Sequence, residues 1–221
     1  MWPIGGQHKA IIGVLAWLSL FWLAMTWAAT PSRTVLVMGD SLSAAYGLAR
    51  EQGWVALLDA RLAEEHAGWQ VINASLSGET TVGGAARLSQ ALQEHHPAVV
   101  LIELGANDAL RGLPLEQAQA NLQSMIEASR AAGAKILLVG VQIPPNYGPD
   151  YTAALQSMYQ DLATRNELPL LPFLLAPIAS DLNNFQADGL HPIAAAQPAI
   201  RDHVWPALLP LLKTDYRDES N

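Results

Sequence analysis

From residue 34 onward the chain alternates short apolar runs with longer stretches in which apolar residues recur at helical spacing. Residues 34–38 read Thr-Val-Leu-Val-Met and close on Gly39, an unbroken run that predicts a buried strand. Over 54–66, Val55, Leu58 and Leu62 share one helical face and Glu64 and Glu65 are left for solvent. The alternation continues with a strand at 70–74 and a helix at 83–95 that stops before Pro97. Residues 98–104, Ala-Val-Val-Leu-Ile-Glu-Leu, form the clearest strand and belong in the middle of a sheet. A helix at 115–131 closes on Gly133, followed by a strand at 135–141, a loop at 144–148, a helix at 151–166 and a short strand at 169–173. A C-terminal helix at 194–212 is interrupted by Pro198 and Pro206. Strands separated by helices of this length imply right-handed crossovers and a parallel sheet covered on both faces.

Sheets of that kind bind ligands beyond the carboxyl ends of their strands. Four short blocks fall there: Gly39-Asp40-Ser41-Leu42-Ser43, Ser77-Gly78-Glu79, Gly105-Ala106-Asn107-Asp108 and Asp188-Gly189-Leu190-His191-Pro192. Ser41 follows the first strand, Gly78 the second, Asn107 the third and His191 the last, so pieces far apart in sequence reach one rim. Each block alone has an ordinary explanation as a turn or a helix cap. Their joint occurrence at successive strand ends is what points to chemistry.

A serine hydroxyl is a poor nucleophile unless a base takes its proton and a third group orients that base. His191 offers the base and Asp188, three residues earlier, the orienter: the carboxylate can hold Nδ1–H and leave Nε2 for Ser41. Gly189 permits the turn and Pro192 is expected to start the following helix. The backbone N–H of Ser41, the N–H of Gly78 and the side-chain amide of Asn107 are candidate donors to an oxyanion. An imidazole base must be neutral to act, and with a reference pKa of about 6.5 activity should fall below about pH 6. Ile143, Pro144 and Tyr147 follow the fourth strand on the same rim and are expected to line an acyl groove. Asp108 and Arg111 either shape a substrate loop or form a turn with local pairing.

Length and charge narrow the setting. With 221 residues, 51% of them apolar, the chain suits one domain over 29–213 with a polar tail at 214–221. It carries 20 acidic against 12 scattered basic residues, which leaves no footprint for nucleic acid. Cysteine is absent, so disulfides, thiolate nucleophiles and cysteine-based zinc sites are excluded. His95 and His96 are adjacent on a helix and do not face one metal site. Near the N-terminus, Lys9 precedes an uncharged, Leu- and Trp-rich stretch ending in Thr26-Trp27-Ala28, which predicts a signal peptide at 1–28 cleaved after Ala28 and a periplasmic or secreted product. The rival reading is an uncleaved anchor, and retention of Met1 on the exported protein would decide for it.

These blocks together resemble the SGNH (GDSL-type) hydrolase family, and more narrowly its periplasmic thioesterase I / lysophospholipase L1 group. The supporting stretches include Gly-Asp-Ser-Leu-Ser-Ala-Ala-Tyr from Gly39, Glu-Leu-Gly-Ala-Asn-Asp from Glu103, Pro-Asn-Tyr-Gly from Pro145 and Asp-Gly-Leu-His-Pro from Asp188. The resemblance runs over about residues 34–212. It implies a three-layer α/β/α flavodoxin-like fold with a parallel five-stranded sheet in the order 2-1-3-4-5. It also implies hydrolysis of acyl thioesters, lysophospholipids and other carboxylic esters, with Ser41, Asp188 and His191 as triad and Ser41, Gly78 and Asn107 as oxyanion hole. No metal or cofactor is implied, the substrate is a small molecule, and nothing demands more than a monomer. Two departures are Ala45 and Ala106, where close relatives usually carry glycine; a methyl at 106 bears on substrate profile more than on the reaction. Two alternatives stand beside this reading: a carbohydrate acetylesterase of the same family, and a non-catalytic periplasmic lipid-binding module.

Overall fold

The computed structural model describes residues 33–213, so the predicted signal segment and polar tail lie outside the described residues. Five strands, β1 (Thr34–Gly39), β2 (Gln70–Asn73), β3 (Val99–Glu103), β4 (Lys135–Val139) and β5 (Leu170–Leu171), form one sheet. Six α-helices accompany them: α1 (Trp54–Glu65), α2 (Thr81–His95), α3 (Ala106–Leu110), α4 (Leu115–Ala131), α5 (Pro149–Arg165) and α6 (Gln197–Leu208). All strand pairs are parallel and the order is β2-β1-β3-β4-β5, as the resemblance implies.

Alternation along the strands sorts the core into two halves. Leu36, Met38, Val100, Ile102, Ile136 and Leu138 point to one face and pack on α2, α4 and α5 through Leu88, Leu122, Met125 and Leu162. Val35, Val37, Val99, Leu101, Leu137 and Val139 point to the other and pack on α1 and α6 through Trp54, Leu58, Val204 and Leu208. Because both faces are covered, β1 and β3 read as continuous apolar runs without a polar face.

The boundaries differ from the sequence reading where prolines intervene. β5 spans Leu170–Leu171 because Pro169 and Pro172 on either side have no N–H to give a ladder. Pro198 sits in the first turn of α6, where a missing N–H costs nothing, and Pro206 lies inside that helix without ending it. Pro192 does not start a helix: it pairs with Phe185 in an isolated antiparallel bridge, and a 3₁₀ turn at Ala194–Ala196 leads into α6. Among the described residues, no helix is long and apolar enough to cross a membrane.

Candidate active site

Parallel register brings the strand ends level. Val37 pairs with Asn73, and Gly39 with Glu103, so the segments leaving β1, β2 and β3 emerge side by side. The turn after β1 carries Ser41 and is capped by its own neighbour: Asp40 Oδ1 accepts from Leu42 N at 3.0 Å. Asn73 ties that turn to β2, its Nδ2 donating to the Ser43 carbonyl at 2.8 Å.

Ser41 Oγ lies 2.8 Å from His191 Nε2, and His191 Nδ1 lies 2.7 Å from Asp188 Oδ2. An ionised carboxylate only accepts, so Nδ1 carries the proton and Nε2 is left to accept from the serine hydroxyl. Asp188 Oδ1 takes two further bonds, from Leu190 N at 2.9 Å and His191 N at 3.0 Å. The backbone N–H groups of His191 and Leu190 are the main reason the Asp188 carboxyl is pulled down to about 2. Gln186 fastens this loop to the nucleophile turn, donating from Nε2 to the Tyr46 carbonyl at 2.9 Å and the Pro192 carbonyl at 3.1 Å. The Tyr46 ring lies beside the imidazole, with centroids 4.3 Å apart.

Gly78, at φ +79°, lines the same groove, and its carbonyl accepts from Arg111 Nη2 at 2.9 Å. Asn107 sits in α3, a five-residue helix where the sequence reading has a loop. Asp108 holds that helix from below: buried, it accepts from Thr81 N at 2.9 Å and Thr81 Oγ1 at 2.6 Å. Asp108 and Arg111 thus brace α3, which carries Asn107, and the loop that carries Gly78. Ala45 adopts φ +59°, a left-handed conformation that favours glycine.

Two buried carboxyls, Asp40 and Glu103, lie under the turn that carries Ser41. Glu103 is wholly buried at the end of β3; its Oε2 accepts from Ser43 Oγ at 2.7 Å and Asp40 N at 3.3 Å, while Oε1 is buried without a partner. Burial, and next the nearby Asp40 charge, push the Glu103 carboxyl well above its ordinary value. Burial likewise raises Asp40 to about 6 against the pull of its hydrogen bond from Leu42. A raised carboxyl means that the folded chain binds a proton that the unfolded chain releases. For Asp40 that window runs from about 6 down to 3.8, and there stability rises as pH falls. Asp188 has the opposite sign, but its contribution is lost only below 3.8, as pH falls through about 2. The thermal midpoint is therefore expected to be higher at about pH 5 than at about pH 7, measured by scanning calorimetry, and a midpoint that drops as pH is lowered from about 7 to about 5 would contradict it.

Ser41 and His191 open onto a groove of about 550 Å³. Ile143 and Pro144 are in its wall, together with Phe173, Leu175 and Phe185, which the sequence reading did not single out. Ala106 also contributes to the wall. Tyr147 is not itself in this wall; its hydroxyl donates at 3.1 Å to the carbonyl of Leu110, which is. Tyr147 closes a 3₁₀ turn at Pro145–Tyr147, and its hydroxyl reaches the C-terminal end of α3.

A parallel α/β sheet with serine, imidazole and carboxylate hydrogen-bonded in line at its carboxyl edge defines a serine hydrolase. The sequence profile of the GDSL-like Lipase/Acylhydrolase family matches residues 37–198. The chain is 52% identical over 181 residues to Esterase TesA of Pseudomonas aeruginosa, covering 82% of this chain and 90% of that one. It is 39% identical over 200 residues to Thioesterase 1/protease 1/lysophospholipase L1 of Escherichia coli, covering 89% and 93%. A crystal structure of the psychrotrophic esterase EstA from Pseudoalteromonas, inhibited by monoethylphosphonate, superposes with a TM-score of 0.79 at 42% identity, covering 83% of this chain and all of that one. The chain belongs to the GDSL-like lipase/acylhydrolase family and is a serine ester hydrolase.

Proposed function

We propose that this enzyme hydrolyses fatty acyl esters, lysophospholipids and acyl thioesters through an acyl-enzyme on Ser41. The observation that carries the reading is the Ser41–His191–Asp188 line at the mouth of a largely apolar groove. In the first step His191 Nε2 takes the proton as Ser41 Oγ bonds to the carbonyl carbon, and the carbonyl oxygen becomes an oxyanion. The N–H groups of Ser41 and Gly78 and the amide of Asn107 are the donors for that charge, each worth about 10²–10³ in turnover in comparable sites. Collapse breaks the bond to the alkoxide or thiolate, which takes the proton from His191. Water then repeats the sequence on the acyl-serine and releases the fatty acid. Asp188 stays ionised throughout, holding the imidazole in the tautomer that accepts at Nε2 and balancing its charge when protonated.

The apolar walls favour a long acyl chain over the acetyl group of a carbohydrate ester, because an acetyl group would leave most of the groove unfilled. Export of the mature chain to the periplasm or beyond, after cleavage at Ala28, favours lysophospholipid as the substrate met in the cell, and a monomer suffices for all these steps. A panel of acetyl to decanoyl esters and thioesters tests this reading. The expected result is higher kcat/KM for decanoyl than for acetyl, with the preference moved to shorter chains in Ile143→Trp. Equal or better hydrolysis of acetyl esters points to the carbohydrate esterase reading, and no covalent labelling by a serine-directed phosphonate points to a silent lipid-binding protein.

A further inference from the structure

The amide of Asn107 raises a problem that its position in the groove does not solve. A side-chain amide has an oxygen and a nitrogen of nearly equal size, and turned the wrong way it would aim a carbonyl oxygen at an oxyanion. In this site one neighbour removes the ambiguity. Asn107 Nδ2 donates to Asp40 Oδ2 at 3.1 Å, and an ionised carboxylate accepts only from the nitrogen end. With one N–H engaged there, planarity of the amide leaves the second N–H for the groove.

We propose that Asp40 is a positioning residue of the reaction, whose carboxylate fixes the Asn107 amide as an oxyanion donor and ties it to the turn bearing Ser41. The proposal rests on the oxyanion role given to Asn107 above. Three features support it. The second oxygen, Oδ1, is bound to Leu42 N at 3.0 Å, so a single carboxylate joins the residue after the nucleophile to the amide across the groove. The group is 1% exposed, so water does not compete for either oxygen. Its backbone is anchored in turn, Asp40 N donating to Glu103 Oε2, which also holds Ser43.

The electrostatics fit a role that outweighs the cost of burying a charge. Asp40 is faced by Glu103 from β3, Asp108 from α3, Tyr159 from α5 and His191 from the loop after β5. Burial, and to a lesser degree Asp108, oppose the ionised form, while the Leu42 N–H, His191 and the Asn107 amide favour it. A purely structural cap for the turn would be served as well by serine or asparagine, which carry no charge to bury.

The test is a double-mutant cycle with kcat and KM measured at about pH 8 and each preparation normalised by phosphonate titration of active sites. Asn107→Ala is expected to lower kcat by about 10²–10³. In Asp40→Asn, one side-chain oxygen cannot serve both Leu42 N and Asn107 Nδ2, and kcat is expected to fall at least about tenfold with KM within about twofold. The double variant should be no slower than Asn107→Ala, because Asp40 acts through that amide. If Asp40→Asn does not fold, Asp40→Ser caps Leu42 while being too short to reach Asn107, and the same loss is expected. Losses that multiply in the double variant, unchanged kcat in the Asp40 variants, or an effect on KM alone overturn the proposal. Full turnover by Asn107→Ala removes the oxyanion assignment itself, which separates failure of that reading from failure of this one.

Discussion

Ser41→Ala is expected to lower kcat on a short-chain nitrophenyl ester by about 10⁴-fold or more while the protein stays folded. The hydroxyl oxygen forms the bond to the acyl carbon in the proposed mechanism, and Ser43 cannot replace it: Ser43 is buried beneath the turn, its Oγ donating to Glu103 Oε2. Structurally the change is small. Ser41 is part-buried and its hydroxyl bonds to His191 Nε2, so its loss removes one hydrogen bond worth about 1 kcal/mol, or a few degrees in Tm for a domain of this size. The residual rate should come from the oxyanion donors, which still polarise the carbonyl for attack by water. His191→Ala should fall to a similar level, and the double variant should be no worse than either, because serine and base act as one unit. Substantial turnover and phosphonate labelling in Ser41→Ala would refute the nucleophile assignment.

How much of this was legible in the letters depends on the range of the interaction. β1 and β3 are plain because a strand covered on both faces is apolar at nearly every position, and that constraint is local. Ser41, His191 and Asp188 could be read as a candidate triad because Asp188 and His191 are three residues apart, and strand order places Ser41 on the same rim. The buried layer beneath was not legible. Glu103 is visible as the one acid in an apolar run, yet its partners Asp40 and Ser43 lie 63 and 60 residues away in sequence. A charge inside a central strand was the available signal, and it asked for exactly such a partner set. α3 escaped because five residues are too few to show helical periodicity, and its stability comes from Thr81 below rather than from its own sequence. The groove wall was half found for a similar reason. Ile143 and Pro144 fall in the segment expected after the fourth strand, whereas the sequence reading runs the fifth strand through Phe173, and Leu175 and Phe185 reach the groove along an irregular path after β5.

Gly105→Ala is expected to cost about 3–5 kcal/mol of stability, lowering Tm by roughly 10 °C, and to reduce turnover in the fraction that remains folded. Gly105 caps α3 at φ +120° and ψ −12°, a conformation outside the ordinary left-handed well and strained for any residue with a Cβ. Space is also lacking. A Cβ there would run into Tyr159 Oη, which is fixed by donating to the Leu104 carbonyl at 2.6 Å in a fully buried site. The chain has two ways to relieve the clash, and both are damaging. Moving Tyr159 strands the Leu104 carbonyl, and burial has already pushed that phenol far above its ordinary pKa, so it must remain a neutral donor with a partner. Moving the backbone displaces α3, and with it Asn107, which sits two residues along, donates to Asp40 Oδ2 and is the proposed oxyanion donor. Tyr159→Phe separates the two causes: in the Gly105→Ala background it removes the clashing oxygen and should recover part of the lost Tm, leaving the dihedral strain. Full recovery would assign the whole cost to the clash, whereas a wild-type Tm and kcat in Gly105→Ala alone would show that the turn before Asn107 has room that this geometry denies it.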